Sequence, residues 1–90
     1  MSHLMNNYAR QPVAFTHGKG VNLWDSKGTK YLDAISGIAV NTLGHAHPRL
    51  TAAMTTQIGK LMHVSNVYQI SEQEKLADQL CELSKMQEVF

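Results

Sequence analysis

The segment Gly18–Pro48 constrains the fold of this chain more than any other, because it joins a glycine-bounded hairpin to a helix start. Asp25 opens a four-residue turn, and Gly28 at its end can take the left-handed conformation of a type I turn with a bulge. The runs on either side, Val21–Trp24 and Lys30–Asp33, are rich in residues that favour strands. These two runs are therefore predicted to pair antiparallel.

A third strand is predicted before this hairpin. The run Val13–His17 favours β-structure, and Gly18 and Gly20 let the chain turn where side chains would clash. A small-residue bend is predicted at Ser36-Gly37, within the apolar connection that follows the sheet.

Two amphipathic helices are predicted after that connection. Pro48 suits a first helical turn, where its missing N–H is not needed. The second helix is predicted to begin at Ser71, whose side chain can cap it while Glu74 completes a capping box. Apolar residues recur at helical spacing, namely Leu50, Ala53, Met54, Ile58, Leu61 and Met62 in the first helix and Leu76, Ala77, Leu80, Cys81 and Leu83 in the second.

The predicted fold class is thus α+β, a small three-stranded antiparallel sheet followed by two amphipathic helices. Each element has an apolar face that needs a partner, and a short hairpin alone is marginal in water. Residues 1–12 are polar and end at Pro12, which predicts a flexible amino-terminal arm. Gln87–Phe90 is typical of an opening strand, so we expect a truncated segment of a larger body.

Composition excludes several classes of protein. Hydrophobic residues make up 43%, charged residues 17%, and the net charge is +1, so neither disorder nor a nucleic-acid partner is indicated. No apolar run approaches the roughly 18 residues of a membrane span, and no signal-peptide pattern is present. We therefore expect no membrane partner and a cytoplasmic location. The single cysteine, Cys81, excludes an intrachain disulfide.

His45 and His47 have a spacing at which they could bind a metal ion, since two histidines two residues apart on an extended chain point to one side. A third ligand would have to come from His17, His63 or Asp33, and no spacing ties any of them to the pair. The alternative is that both histidines fill and hydrogen-bond a tight loop. We therefore predict no metal ligands.

No residue is predicted to be catalytic. Gly18-Lys19-Gly20 precedes a strand, whereas a phosphate cradle needs N–H groups converging at a helix start. Ser36 lacks the pattern of a nucleophile elbow. A Schiff-base lysine needs an apolar setting, and none of the six lysines has one: Lys19, Lys27, Lys30, Lys60, Lys75 and Lys85.

The ordered strings GVNLWDSKGTKYLDAISGIAVNTLGHAHPRL and HVSNVYQI resemble the amino-terminal region of class III aminotransferases, which use pyridoxal phosphate. The acetylornithine branch is the most similar. The resemblance implies the amino-terminal part of a fold-type I transferase, in which residues 13–90 form a segment of the small domain and the start of the large domain. It also implies a homodimer that moves an amino group from N-acetylornithine, or a related omega-amino compound, to 2-oxoglutarate in arginine metabolism.

The same resemblance places the Schiff-base lysine and the phosphate-binding turn beyond Phe90. The 90 residues alone are therefore expected to be inactive and to bind no pyridoxal phosphate. Their expected partners are the rest of their own polypeptide, a second subunit and a small-molecule amino donor. The alternative is an independent small interaction or dimerisation module without catalysis.

Six residues are implied to bind substrate. By resemblance, Ser36, Gly37, Ile38 and Val40 line the substrate side of the cofactor pocket, and Ile38 can tune substrate choice. Asn66 and Tyr68 resemble positions that approach the active site, often that of the partner subunit. The alternative for all six is a packing role.

Overall fold

The computed structural model describes residues 3–90, so Met1 and Ser2 of the predicted arm lie outside the described residues. Three strands form one antiparallel sheet in the order β1 (Phe15–Lys19), β2 (Asn22–Asp25) and β3 (Lys30–Leu32). The predicted three-stranded antiparallel sheet is confirmed.

The first turn lies later than predicted. Gly18 is part of β1 and pairs with Leu23, and the chain reverses at Gly20 and Val21 instead. Gly20 has a φ of +57°, which glycine adopts without a steric penalty. β1 therefore runs through the first glycine and turns at the second.

The turn predicted at Asp25–Gly28, between β2 and β3, is confirmed. The side-chain Oδ1 of Asp25 accepts hydrogen bonds from the N–H groups of Lys27 (2.9 Å) and Thr29 (2.8 Å), and Gly28 has a φ of +80°. Partial desolvation raises the pKa of Asp25, but these two hydrogen bonds and a third from the Tyr31 hydroxyl outweigh it and lower the pKa below its usual value. The carboxylate thus orders the turn as an anion.

Ring contacts lie on both faces of the sheet. His17 and Trp24, which pair across β1 and β2, stack with centroids 4.9 Å apart, and Lys30 Nζ lies 5.8 Å from the Trp24 ring. On the other face Phe15 meets Tyr31 edge-on at 5.4 Å. Such cross-strand pairs stabilise a sheet modestly.

Both predicted helices are present, with corrected ends. The first helix, Pro48–Ile58, stops before Leu61 and Met62, which were predicted to continue its stripe. Gly59 follows directly, and glycine costs about 1 kcal/mol more than alanine inside a helix. The last turn closes with N–H groups of residues 60 and 61 donating to Gln57 O, both at 3.0 Å.

The second helix is Ser71–Ser84, but the predicted capping box is wrong. Ile70 occupies the cap position in an extended conformation, and the N–H groups of Gln73 and Glu74 donate to its carbonyl oxygen. Ser71 already lies inside the first turn, where its hydroxyl no longer faces the free N–H groups. The helix ends at Ser84, and the residue that follows it, Lys85, has a φ of 61° and donates its N–H to Cys81 O at 2.9 Å.

The chain divides into two units, one ending at Met54 and one beginning at Thr55. Across residues 3–90 no side chain is buried. Gln87–Phe90, predicted to open a strand, is not part of one in the structure. No helix in the described part of the chain has the length and apolar character needed to span a membrane.

Candidate functional site

The segment Ser36–Ala39 forms a turn of left-handed helix, named here the left-handed turn. All four φ angles are positive: 54° at Ser36, 61° at Gly37, 69° at Ile38 and 59° at Ala39. Only glycine adopts this region without penalty, and each of the other three residues pays about 1–2 kcal/mol. The turn therefore stores roughly 3–6 kcal/mol of conformational strain. A β-branched residue such as Ile38 is especially unusual there.

The strain is offset by hydrogen bonds at both ends of the turn. Within it, the N–H groups of Ile38 and Ala39 donate to Ile35 O, and those of Val40 and Asn41 donate to Ser36 O, at 2.9–3.1 Å. At its entrance, Asp33 Oδ1 accepts from the N–H groups of Ile35 (3.1 Å) and Ser36 (2.8 Å). One carboxylate oxygen thus satisfies two backbone donors where the left-handed turn begins.

The other oxygen of Asp33 contacts His45. His45 Nε2 lies 2.6 Å from Asp33 Oδ2, and the two side chains are 23% and 9% exposed. The hydrogen bonds from the Ser36 N–H and from His45 lower the pKa of Asp33 below its usual value, against a smaller opposing effect of desolvation. Asp33 is therefore a carboxylate that only accepts, which requires the proton of this hydrogen bond to sit on Nε2 of His45.

His45 is itself fixed by the sheet. Its N–H donates to Gly20 O at 2.8 Å, and its carbonyl accepts from the Gly20 N–H at 2.9 Å. The ring covers Gly18, where an added Cβ would lie 2.6 Å from His45 Cγ. Gly18 thus makes room for the imidazole ring, while Gly20 pairs with the backbone of His45.

These groups surround a cleft of about 250 Å³ in the first unit. Its lining comes from the first hairpin, the end of β3, the left-handed turn and the loop to His45: Gly20, Val21, Asp33, Ser36, Asn41, Thr42, Gly44 and His45. The Asp33 carboxylate and His45 Nε2 already engage each other, so the pair orients backbone and leaves no unengaged acid–base group between them. We assign it a positioning role.

The structure brings four of the six predicted substrate-binding residues together. Ser36, Gly37, Ile38 and Val40 share the left-handed turn and its exit, where Ile38 is 84% and Val40 70% exposed. The turn therefore presents these apolar side chains outward. Their contact with substrate stays a prediction.

Asn66 and Tyr68 lie in the second unit, whereas the other four predicted residues lie in the first. They belong to a tight turn in which the Tyr68 N–H donates to Ser65 O at 3.0 Å. Both side chains are exposed, Tyr68 by 67%. Their substrate role also stays a prediction.

The histidine pair does not share one side of an extended chain as the metal hypothesis required. Ala46 between them has a φ of 50°, and His45 points to Asp33. The Nδ1 atom of His47 is shielded from solvent although the residue as a whole is not buried, and it has no hydrogen-bond partner among the described residues. No group of three metal-ligating side chains occurs within residues 3–90.

Pyridoxal phosphate needs a lysine for its aldehyde and N–H groups for its phosphate. All six lysines are exposed, and Lys75 pairs with Glu72 at 2.8 Å. The helix that starts at Pro48 lacks the N–H of its first residue. The described residues therefore do not fit the cofactor.

Sequence reasoning missed the central contact of this site. The sequence pattern suggests Asp33 only as a distant metal ligand, whereas in the structure it bonds both the left-handed turn and His45. The available signal was the aspartate directly after a strand and before a small-residue bend, since such side chains often accept local backbone N–H groups.

Comparison with known proteins places this geometry in a family. The model of the class-III aminotransferases matches residues 4–90. Acetylornithine aminotransferase of Nitrosomonas europaea is 56% identical over 90 residues, which are 100% of this chain and 23% of that protein. The chain therefore spans about a fifth to a quarter of the length of such relatives.

Solved structures agree. N-acetylornithine aminotransferase from Stenotrophomonas maltophilia superposes with a TM-score of 0.80 at 41% identity, over 87% of this chain and 21% of that one. Ornithine aminotransferase from Toxoplasma gondii, described with partial occupancy of PLP at its active site, superposes with a TM-score of 0.85 at 30% identity. The match covers 90% of this chain and 19% of that one. The match is to the amino-terminal part of these enzymes. The chain belongs to the class-III aminotransferase family.

Proposed function

We propose that this chain is the amino-terminal segment of a pyridoxal-phosphate-dependent aminotransferase of the acetylornithine type. The whole protein moves an amino group from N-acetylornithine, or a related omega-amino compound, to 2-oxoglutarate in arginine biosynthesis, as a cytoplasmic homodimer. The identity of 56% along the entire chain to one such enzyme is the observation that carries this proposal.

In this proposal residues 13–90 are the first segment of the small domain and the start of the large domain, preceded by an arm over residues 1–12. The segment supplies part of the substrate-binding wall and no cofactor ligand. Ser36, Gly37, Ile38 and Val40 form a stretch of that wall, and Asn66 and Tyr68 approach an active site, often that of the partner subunit. The lysine and the phosphate site come from the rest of the polypeptide.

The structure disfavours the alternative, an independent small interaction module. A domain that folds alone needs a core of its own, and no side chain within residues 3–90 is buried. The outward apolar side chains fit a segment that is completed by more polypeptide.

A chimera tests the proposed function. In it, these 90 residues replace the matching 90 residues of the Nitrosomonas europaea enzyme, and this protein is called the chimera below. We expect it to transaminate N-acetylornithine with 2-oxoglutarate at a kcat/KM within about tenfold of that of the parent enzyme. A tenfold ratio corresponds to a difference of roughly 1.4 kcal/mol in transition-state stabilisation. The control is the parent enzyme without its own first 90 residues, which we expect to be inactive. A folded, cofactor-loaded chimera without activity would contradict the proposal.

Asp33 predicts a specific acid sensitivity of the chimera. Its pKa in the folded state is below the reference value of 3.8, so its carboxylate stabilises the fold above that pH. The contribution disappears as the pH falls through the lowered pKa and Asp33 takes up a proton. We expect Asp33→Asn to lower the urea midpoint at neutral pH, and the difference from the unmutated chimera to shrink towards zero under acid conditions.

Asp78→Asn is the matched control for this measurement, because Asp78 is exposed on the second helix. Its midpoint should follow the unmutated chimera at every pH. A deficit of Asp33→Asn that stayed constant down to the acid limit would show that the charge of Asp33 does not stabilise the fold.

A further inference from the structure

Asp33 lies where three parts of the first unit meet. Its own N–H donates to Val21 O at 2.8 Å, which ties its backbone to the start of β2. Its two carboxylate oxygens then bond in different directions, one to the N–H groups of Ile35 and Ser36 and the other to His45 Nε2. A side chain held on both oxygens has a fixed orientation, and so do the groups that bond to it.

The hydrogen bonds that join Asp33 to Ile35, Ser36 and His45 are named here the clasp. Its His45 end is anchored independently of Asp33. His45 exchanges two backbone hydrogen bonds with Gly20, and its ring rests on Gly18. The sheet therefore sets the position of the imidazole, and the imidazole sets the carboxylate. The carboxylate in turn sets the N–H groups of Ile35 and Ser36 at the entrance of the left-handed turn.

The turn needs this support because its side chains give it little. Ile35 and Ile38 are 72% and 84% exposed, so they do not anchor the turn by packing within the described residues. Three of its four left-handed residues carry a Cβ that disfavours this conformation. Without the clasp, a right-handed or extended backbone would be preferred, and the side chain of Ile38 would then point elsewhere.

We infer that Asp33 and His45 are positioning residues for amino-donor specificity, holding the left-handed turn so that Ile38 faces the donor. This inference rests on the proposed function, in which Ile38 is part of the substrate-binding wall. Neither residue touches the donor, and both act through the backbone of residues 35–38.

The test measures, in the chimera, the ratio of kcat/KM for N-acetylornithine to kcat/KM for ornithine. His45→Leu removes the donor to Asp33 and should lower this ratio about tenfold, the scale of a displaced apolar contact. His45→Gln places an amide N–H near the position of Nε2 and should keep the ratio within about threefold. Asp33→Ala, which removes both acceptor oxygens, is a second route to the same loss.

Ile38→Ala makes the test specific. If the clasp acts through Ile38, Ile38→Ala alone should lower the ratio as much as His45→Leu, and the double variant should lower it no further. Independent losses that add in the double variant would overturn the inference. An unchanged ratio in His45→Leu, with only a lower melting temperature, would reduce the pair to a structural role and overturn it too.

Hydrogen exchange supplies a readout that does not depend on activity. Amides of residues 35–41 should exchange faster in His45→Leu and Asp33→Ala than in His45→Gln, while amides of β2 should not change. Equal exchange in all three variants would show that no clasp exists. An unmutated chimera that is inactive would instead refute the proposed function and the specificity role together, whereas an active chimera with an unaffected ratio refutes the inference alone.

Discussion

Replacing Gly44 by valine is expected to remove the native structure of the first unit in the chimera. A Cβ at this position would lie 2.7 Å from the carbonyl oxygen and 3.0 Å from the carbonyl carbon of Gly20, and Gly44 also has a φ of +73°. The opposing atoms are backbone atoms held by the bridge between Gly20 and His45, so they cannot rotate away. The combined clash and strain should cost roughly 3 kcal/mol or more.

Gly28→Ala separates the clash from the strain. Gly28 has a φ of +80°, but an added Cβ there would meet nothing within 4 Å, so only the left-handed penalty of about 1–2 kcal/mol applies. Melting temperatures of the two variants, with hydrogen exchange at His45, measure the difference. Equal destabilisation by both substitutions would mean that Gly44 can move away from Gly20 at little cost.

The second large effect is expected for the 90 residues expressed alone, which should show no cooperative unfolding transition. Ordering a residue costs about 1–2 kcal/mol of backbone entropy, which apolar burial normally offsets. Here the side chains suited to a core are exposed in both units, among them Leu50, Met54, Leu76 and Leu80. The hydrogen bonds of the turns order short stretches without offsetting this cost.

Thermal scans by circular dichroism and light scattering on the same sample test this expectation. We expect a gradual loss of signal, association at higher concentration, and no pyridoxal phosphate retained after dialysis. The chimera is the control, since the same residues should unfold cooperatively there. A sharp transition in a monodisperse monomer would contradict the segment proposal and favour the independent module.

Local side-chain chemistry made much of the fold predictable. The turn after β2 needs an aspartate that accepts N–H groups and a glycine with positive φ, and Asp25 and Gly28 stand at the required spacing. Pro48 likewise marks its helix start. Each signal spans only a few residues, so no tertiary information is needed to read it.

The clasp could not be read in this way. Asp33 and His45 are separated by twelve positions, and only the bridge between Gly20 and His45 brings them together. The left-handed turn was equally hidden, because one glycine among four residues predicts a bend and not a run of positive φ angles. The missed cap at Ser71 has a local cause, since Ile70 took the extended cap position that the capping box assigned to the serine.

The stack of His17 on Trp24 gives the chain a built-in optical reporter. Trp24 is its single tryptophan, and the imidazole lies parallel to the indole at 4.9 Å. Because the two rings belong to paired residues of β1 and β2, the fluorescence of Trp24 reports on the pairing of these strands without any added label. A change in the Trp24 emission would therefore signal separation of β1 from β2 even where no other probe of the molecule responds.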